Sequence, residues 1–217
     1  LKNSSNVLHY GTPTEIESEM GRFLFCHAVG YHLNMLLFAV STKLHLTKKP
    51  SWMDPFRMKY GQIYEYHVTL KQPCLIDDGD IERIQTKLTD FFQSFTVPGH
   101  KLPLMFDTMV VEPESDGRMT IMVNAKENAA IRKLQKDILC LFPEDIRYRY
   151  PESREWEQNF QPHVTIAADL DRVVYEEAQK EIGNEVYCEG YIDAVTLDIV
   201  SEDDGGKPVV NRTEFPL

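Results

Sequence analysis

Two copies of one short pattern hold the side chains best suited to chemistry in this sequence. The first reads His67-Val68-Thr69-Leu70 and the second reads His163-Val164-Thr165-Ile166. Successive side chains of a β-strand point to opposite faces, so each histidine shares a face with its threonine while the aliphatic residues share the other face. Two such strands brought together would surround one small site with two imidazoles and two hydroxyls. That set of groups suits proton transfer at a phosphate.

A third copy of the bare pattern, His45-Leu46-Thr47-Lys48, shows how readily it arises by chance. In this copy Lys48 occupies the position where the other two copies have an inward-facing aliphatic residue. The alternation of apolar and polar residues around positions 67 and 163 is typical of half-buried strands. We interpret the copies at 67 and 163 as functional and the copy at 45 as structural background.

Other kinds of site fit these residues less well. A buried histidine beside a threonine is often a satisfied polar group of the core, and the repetition of the pattern argues against that interpretation. Two histidines without nearby cysteines, a third histidine or a helical H-E-x-x-H pattern do not make a convincing zinc site. The sequence has no G-x-S-x-G nucleophile elbow and no Walker-type phosphate loop. We therefore expect no metal and no cofactor.

Composition and charge restrict the class of protein and its partners. The chain has 217 residues, of which 42% are hydrophobic and 26% charged, values typical of a globular protein. A net charge of −11 disfavours non-specific binding to long nucleic acids, so we expect a short RNA end or a nucleotide as substrate. The apolar run at 23–40 is interrupted by polar residues, which argues against membrane insertion. The scattered cysteines suit free thiols in a reducing cytoplasm, and we also expect a monomer.

The pattern of apolar residues predicts an α+β chain. An N-terminal extension, 1–34, contains an amphipathic helix over about 13–29, and residues 35–217 form the main domain. Strands are predicted over 35–46, 63–70, 102–111, 119–125, 161–167, 186–200 and 208–214. Helices are predicted over 50–60, 78–95, 128–142 and 171–182, and 143–160 reads as a long irregular stretch.

The order of these elements repeats. Each half runs from a motif strand through a helix to a hairpin with an Asp-Gly turn. Such a repeat predicts two lobes related by a pseudo-two-fold axis, each with an antiparallel sheet and outer helices, and with the motif strands meeting at a central cleft. The alternative is that many α+β domains look repetitive at this level of detail.

The two motifs, together with the aromatic-to-histidine sequence Phe160-Gln161-Pro162-His163, resemble those of the two-histidine (2H) phosphoesterase superfamily. The 2′-5′ RNA ligase and cyclic phosphodiesterase branches are the most similar, and the resemblance runs from about residue 35 to the C-terminus. It implies a bilobal fold and metal-independent chemistry on 2′,3′-cyclic phosphates or 2′-5′ phosphodiester bonds. By this resemblance the active-site residues are His67, Thr69, His163 and Thr165.

The motif residues suggest a mechanism. One histidine would act as general base and the other as general acid, with either assignment open. Thr69 and Thr165 would donate hydrogen bonds to the non-bridging phosphate oxygens. Further substrate contacts are expected from Lys71, Arg147, Arg149 and Tyr150. The alternative for the arginines is that they are solvated loop charges balanced by nearby glutamates.

Hydrolysis of a 2′,3′-cyclic phosphate on a nucleotide or RNA end is the function we predict from the sequence. A second enzymatic possibility is cleavage or reversible formation of 2′-5′ linkages. A possibility of another class is a non-catalytic module that binds RNA ends or nucleotides. Residues 1–34 could in addition recruit a partner.

Overall fold

Seven β-strands and five α-helices form the described part of the chain. The structure is a computed structural model and describes residues 36–60, 65–94, 100–114, 117–143, 147–201 and 211–217. The strands are β1 (Leu36–Lys48), β2 (Thr69–Ile76), β3 (Leu102–Pro113), β4 (Met119–Ala125), β5 (His163–Leu170), β6 (Cys188–Ser201) and β7 (Asn211–Pro216). The helices are α1 (Met53–Lys59), α2 (Ile81–Ser94), α3 (Ala129–Cys140), α4 (Ser153–Gln158) and α5 (Arg172–Glu181). The helix predicted over 13–29 and the turn at 203–206 lie outside the described residues.

The strands form one antiparallel sheet in the order β2-β1-β6-β3-β4-β5, with β7 also paired to β6. Strand β6 is 14 residues long and pairs along one edge with β1. Along its other edge, the residues near Cys188 pair with β3 and those from Ala194 onward pair with β7. The α+β class and the antiparallel pairing agree with the sequence analysis. The sequence analysis expected one sheet in each of two lobes, but the described strands form a single sheet, because β6 pairs with β1 on one side and with β3 on the other.

One face of the sheet packs against the helices. The apolar residues that alternate along the strands, such as Phe38, Val40 and Val164, are almost fully buried. They join the buried residues of α2 and α3 in a single hydrophobic cluster. Burial of this apolar surface is the main stabilising contribution to the fold.

The opposite face carries the polar residues of the strands, and we call it the motif face. Thr69 pairs with Ser41, which in turn pairs with Thr196, so the three residues form a row across β2, β1 and β6. Directly opposed residues of antiparallel strands lie on the same face. In β5, Val164 and Ile166 belong to the hydrophobic cluster, so His163 and Thr165 point away from it, as the first motif does.

Helix α4 and the extent of β2 differ from the sequence analysis. Residues 153–158 are helical within the stretch predicted to be irregular. A helix this short cannot show a full apolar stripe, which explains why the pattern missed it. Strand β2 runs to Ile76 instead of ending near residue 70, and it contains Pro73, which an edge strand tolerates.

Gly190 marks a close approach of β1 and β6. A Cβ atom at this position would lie 2.4 Å from the carbonyl oxygen of His45. The two longest strands of the sheet pack their backbones together here, and only glycine fits without a shift. None of the helices among the described residues is long and apolar enough to cross a membrane.

Candidate active site

His67 lies just before β2 and is held by β1. The Thr42 amide donates to the Val68 carbonyl at 3.0 Å and the Leu44 amide donates to the Tyr66 carbonyl at 3.2 Å. The Val68 amide donates to the Thr42 hydroxyl at 2.9 Å. The backbone on both sides of His67 is therefore fixed to β1, and the motif side chains keep their place on the motif face.

Both motif histidines bind their own backbone in the same way. His67 Nδ1 lies 2.9 Å from the carbonyl oxygen of Glu65, and His163 Nδ1 lies 2.9 Å from that of Gln161. A carbonyl only accepts hydrogen bonds, so each Nδ1 carries a proton. This arrangement leaves Nε2 of each neutral ring as the nitrogen that can accept a proton.

Each motif strand also has a β-bulge after its threonine. In the first strand Thr69 pairs with Ser41 while Lys71 pairs with Val40, and the register shifts between them. In the second, Thr165 pairs with Met122 while Ala167 pairs with Ile121, again with a register shift. A bulge places two consecutive residues against one partner and re-aims the side chains that follow. The two motifs thus share their local geometry as well as their residue types.

The bulge explains why Lys71 does not lie beside the motif. Strict alternation would place Lys71 on the motif face with His67 and Thr69, but the structure turns it into the interior, where its side chain is 1% exposed. Its Nζ lies 3.4 Å from Glu157 Oε1 and 3.2 Å from Cys74 Sγ. A buried lysine bound to a glutamate of α4 cannot reach a phosphate on the motif face. The expectation of a substrate contact at Lys71 does not fit this placement.

The charge of His67 acts on the ring of His163. Burial lowers the pKa of His163 below its usual value, and a positive charge on His67 lowers this pKa further. The hydrogen bond to the Gln161 backbone and the carboxylate of Glu112 act in the opposite direction. The charge of His67 therefore reaches from the first motif to the second, although β2 and β5 lie at opposite ends of the strand order.

Arg147, Arg149 and Tyr150 lie along the far end of β2. The Leu75 amide donates to the Arg147 carbonyl and the Arg149 amide donates to the Pro73 carbonyl. Pro73 is six residues beyond His67, which is roughly 20 Å along an extended strand.

The side chains of this segment have local partners. Arg147 pairs with Asp77 at 3.3 Å, and Arg149 donates to the Tyr150 hydroxyl at 3.1 Å. Tyr148, between the two arginines, turns inward and donates to Glu157. The structure therefore does not bring these residues together with the motif threonines.

The third pattern residue, His45, has a different environment from the motif histidines. Its Nε2 lies 2.9 Å from Asp193 Oδ1, and its ring stacks on Tyr191 with 5.1 Å between the ring centroids. Nε2, the ring nitrogen that does not contact the backbone carbonyl in the motif histidines, is here bound to a carboxylate. This contact supports the interpretation of the pattern at 45 as structural.

Some neighbours of the motifs were not found from the sequence. Ser41 and Lys43 of β1 lie beside the first motif on the motif face, and Asn124 of β4 pairs with His163. Glu112 of β3 acts on the pKa of His163. These positions depend on which strands pair and in which register, and a single sequence carries no direct signal for that. Within the described part of the chain, no three histidine, cysteine or acidic residues group so that they could hold a metal ion.

Comparison with known proteins places the chain in a family. A family model described as the 2′-5′ RNA ligase superfamily matches residues 62–204, which include both motifs. No curated protein matches the chain.

Solved structures of Usb1 from Kluyveromyces marxianus are similar to this one. One has a TM-score of 0.51 with 11% sequence identity, and the match covers 83% of this chain and 98% of that one. A second, solved with uridine monophosphate, has a TM-score of 0.49 with 13% identity, covering 85% of this chain and 99% of that one. At this identity the likeness concerns the fold alone. The resemblance of the chain to the 2H phosphoesterases is confirmed, and the chain belongs to the 2′-5′ RNA ligase superfamily.

Proposed function

We propose that this protein hydrolyses 2′,3′-cyclic phosphates on nucleotides or short RNA ends, with His67 and His163 as the acid–base pair. The observation that carries the proposal is the matched geometry of the two histidines. Each presents Nε2 after fixing Nδ1 on the carbonyl two residues earlier, and each has a threonine two residues later. General acid–base catalysis requires two such groups, one that accepts a proton and one that donates.

The reaction needs one neutral and one protonated imidazole. Burial lowers the pKa of His163, and a charged His67 favours the neutral form of His163. We therefore assign His163 as the general base and His67 as the general acid. Nε2 of His163 takes a proton from the attacking water, and Nε2 of His67 gives a proton to the departing ribose oxygen. The products are a phosphomonoester and a free ribose hydroxyl, with the two rings left in exchanged protonation states.

Thr69 and Thr165 complete the proposed site. Their hydroxyls would donate hydrogen bonds to the non-bridging phosphate oxygens, where negative charge grows in the transition state. In this proposal the two motif strands are related by a pseudo-two-fold axis and face each other across a cleft. Each motif histidine has the same contact between Nδ1 and a backbone carbonyl, and β2 and β5 have matching bulges. Both features support that arrangement.

Cleavage or formation of 2′-5′ linkages is a second candidate reaction. The match to the 2′-5′ RNA ligase superfamily favours it, and the same acid–base pair would serve it. A binding module without turnover is less well supported, because binding alone does not require two titrating groups on one face. The net charge of −11 supports a short substrate in each case.

A turnover assay tests the proposal. Adenosine 2′,3′-cyclic monophosphate would be incubated in EDTA with the wild type and with the His67→Ala and His163→Ala variants. Loss of general acid or base catalysis lowers rates by roughly 10²- to 10⁴-fold, so each variant is expected to lose at least that much kcat. His45→Ala is the matched control, because it removes the third pattern histidine and is expected to retain activity.

The outcomes of this assay separate the candidates. Full activity in either motif variant would contradict the acid–base assignment. No turnover by the wild type would direct the assay to 2′-5′-linked oligoadenylates. If those also remained intact, the binding module would become the better interpretation.

A further inference from the structure

Lys43 of β1 lies directly across from His67. The Thr42 amide donates to the Val68 carbonyl and the Leu44 amide donates to the Tyr66 carbonyl. Lys43 lies between Thr42 and Leu44, and His67 lies between Tyr66 and Val68. Lys43 and His67 therefore face each other. The pairing of Ser41 with Thr69 continues the same register. Side chains opposed in this way have Cβ atoms about 4.5–5.5 Å apart and lie on one face. Lys43 is therefore the cross-strand neighbour of the proposed general acid, on the motif face.

We propose that Lys43 binds the phosphate of the substrate at the His67 end of the site, exchanging its partner Glu214 for a phosphate oxygen. This inference rests on the proposed function, since it assigns a further residue to the same site. It also gives the substrate a defined orientation, with its charged phosphate toward β1 and β2.

The surroundings of Lys43 keep it charged and ready to exchange partners. Its Nζ lies 3.1 Å and 3.3 Å from the two carboxylate oxygens of Glu214. The hydrogen bond and charge of Glu214, with the charges of Asp193 and Glu65, raise the pKa of Lys43.

The ion pair with Glu214 is open to solvent. The side chain of Lys43 is 34% exposed and that of Glu214 is 47% exposed. Ion pairs that are this exposed hold their partners weakly, whereas a hydrogen bond from an ammonium group to a phosphate is charge-assisted and strong. Exchange of Glu214 for a phosphate oxygen therefore costs little.

The corresponding position at the second motif has no charge. There Asn124 of β4 is paired with His163, in the same relative position that Lys43 has to His67. The two motifs are alike in their histidines, threonines and bulges, and the lysine is a difference between them. A protein with a net charge of −11 needs a local cation to hold an anion, and the first motif supplies one beside His67. Addition of hydroxide to a singly charged cyclic phosphate raises its negative charge, so Lys43 would act more strongly on the transition state.

Substitution of the two partners gives effects of opposite sign. Lys43→Met is expected to raise KM for adenosine 2′,3′-cyclic monophosphate and to lower kcat/KM roughly ten- to hundredfold, as expected for loss of a charged hydrogen bond. Glu214→Gln releases Lys43 from its competing partner and is expected to lower KM a few-fold. A purely structural ion pair predicts equal changes from both variants. Lys43→Arg should restore part of the affinity, because it keeps the positive charge.

A second lysine and acid pair provides the control. Lys133 and Asp137 form an exposed pair one turn apart on α3, so Lys133→Met and Asp137→Asn change the same charges away from the motif face. Both are expected to leave KM unchanged. An unchanged KM in Lys43→Met, with wild-type turnover intact, would overturn the role of Lys43 and leave the proposed function standing.

A binding measurement separates failure of this inference from failure of the proposed function. Adenosine 2′-monophosphate would be titrated into the wild type and Lys43→Met by calorimetry. If the wild type shows no turnover but binds this nucleotide, and Lys43→Met weakens the binding at least tenfold, the lysine site stands without the hydrolytic function. If the wild type neither turns over the cyclic nucleotide nor binds the monophosphate, the lysine site is overturned as well.

Discussion

His67 and His163 each bind the backbone carbonyl two residues earlier through Nδ1. Any difference in their protonation therefore comes from what surrounds each ring. Burial acts on His163, and the carboxylate of Glu112 opposes it. Such differences between two otherwise matched groups are how one site obtains both a base and an acid near neutral pH. The assignment of His163 as the base can therefore be tested without removing either histidine.

The pH dependence of catalysis provides this test. A general base must be deprotonated, so activity rises with pH through the pKa of the base. Since the pKa of His163 lies below 6.5, the midpoint of the acidic limb of kcat/KM is expected below pH 6.5. Glu112→Gln removes a charge that raises this pKa, so the acidic limb should move to still lower pH. The measurement is kcat/KM for adenosine 2′,3′-cyclic monophosphate from pH 4.5 to 9.

A distant glutamate provides the control for this shift. Glu82 is exposed on α2, and Glu82→Gln is expected to leave the midpoint of the acidic limb of kcat/KM unchanged. An acidic limb that moves upward in Glu112→Gln would rule out His163 as the base.

The neighbourhood of Lys71 shows where a local pattern stops being informative. His67 and Thr69 could be placed on one face from sequence because strand alternation holds over those three residues. Lys71 could not, since the bulge after Thr69 interrupts the alternation. Its counterpart in the second motif strand is the buried Ala167, so comparison of the two copies carried a signal that this position faces inward.

Strand β2 is joined to helix α4 by a polar cluster, which consists of the buried Lys71 and Glu157 and the half-buried Gln72 and Tyr148. One carboxylate oxygen of Glu157 accepts from the Gln72 amide at 2.7 Å and lies 3.4 Å from Lys71 Nζ. The other accepts from the Tyr148 hydroxyl at 2.6 Å. The cluster fixes the end of β2 that follows the first motif, and it satisfies a charge that would otherwise be costly to bury.

Removal of the carboxylate from this cluster should destabilise the fold strongly. Glu157→Ala leaves Lys71 buried without its counter-charge, and breaking such pairs costs about 3–5 kcal/mol of unfolding free energy. Urea unfolding at pH 7 measures this loss. Asp137→Ala breaks the exposed pair with Lys133 and is expected to cost less than about 1 kcal/mol. Equal losses in the two variants would show that the buried cluster is not the stronger one.

The contact between β1 and β6 predicts a second effect on stability. Gly190→Ala places a methyl group 2.4 Å from the His45 carbonyl oxygen, so the two strands must separate locally. We expect a cost of about 1–3 kcal/mol, as for other overpacked sites. Gly79→Ala is the matched control, because a Cβ there meets nothing within 4 Å. A loss in Gly79→Ala as large as that in Gly190→Ala would contradict the steric explanation.

The longer elements were predictable because their patterns span several turns or residue pairs. Helices α2 and α3 each bury one stripe, and their predicted and observed limits differ by only a few residues. Helix α4 is too short to show such a stripe. Strand pairing was not predictable from the sequence. The position of β6 between β1 and β3 depends on contacts between residues that are far apart in the chain.

The continuous sheet and the single hydrophobic cluster make the described chain one cooperative unit. The two tryptophans report on different parts of it. Trp52 donates to the Glu185 carbonyl near the start of β6, and Trp156 lies on α4 beside the end of β2. Chains with one core usually unfold in a single transition.

Unfolding followed by two probes tests this cooperativity. In Trp156→Phe, Trp52 is the only tryptophan left, so its fluorescence under tryptophan-selective excitation can be compared with far-ultraviolet circular dichroism over a urea titration. The two curves are expected to have the same midpoint, because β6 connects both halves of the sheet. Separate midpoints would indicate that the two halves unfold independently.

Strand β6 has a consequence for how a substrate enters. The strand hydrogen-bonds to β1, which holds His67, and to β3, which leads through β4 to His163. A hinge that swung one histidine away from the other would have to break ladder hydrogen bonds within the sheet. We therefore expect the spacing of the two imidazoles to be the same before and after binding. In the proposed function, such a preformed site would select substrates by their fit to a fixed spacing, and it would need no closing motion to assemble the proposed acid–base pair.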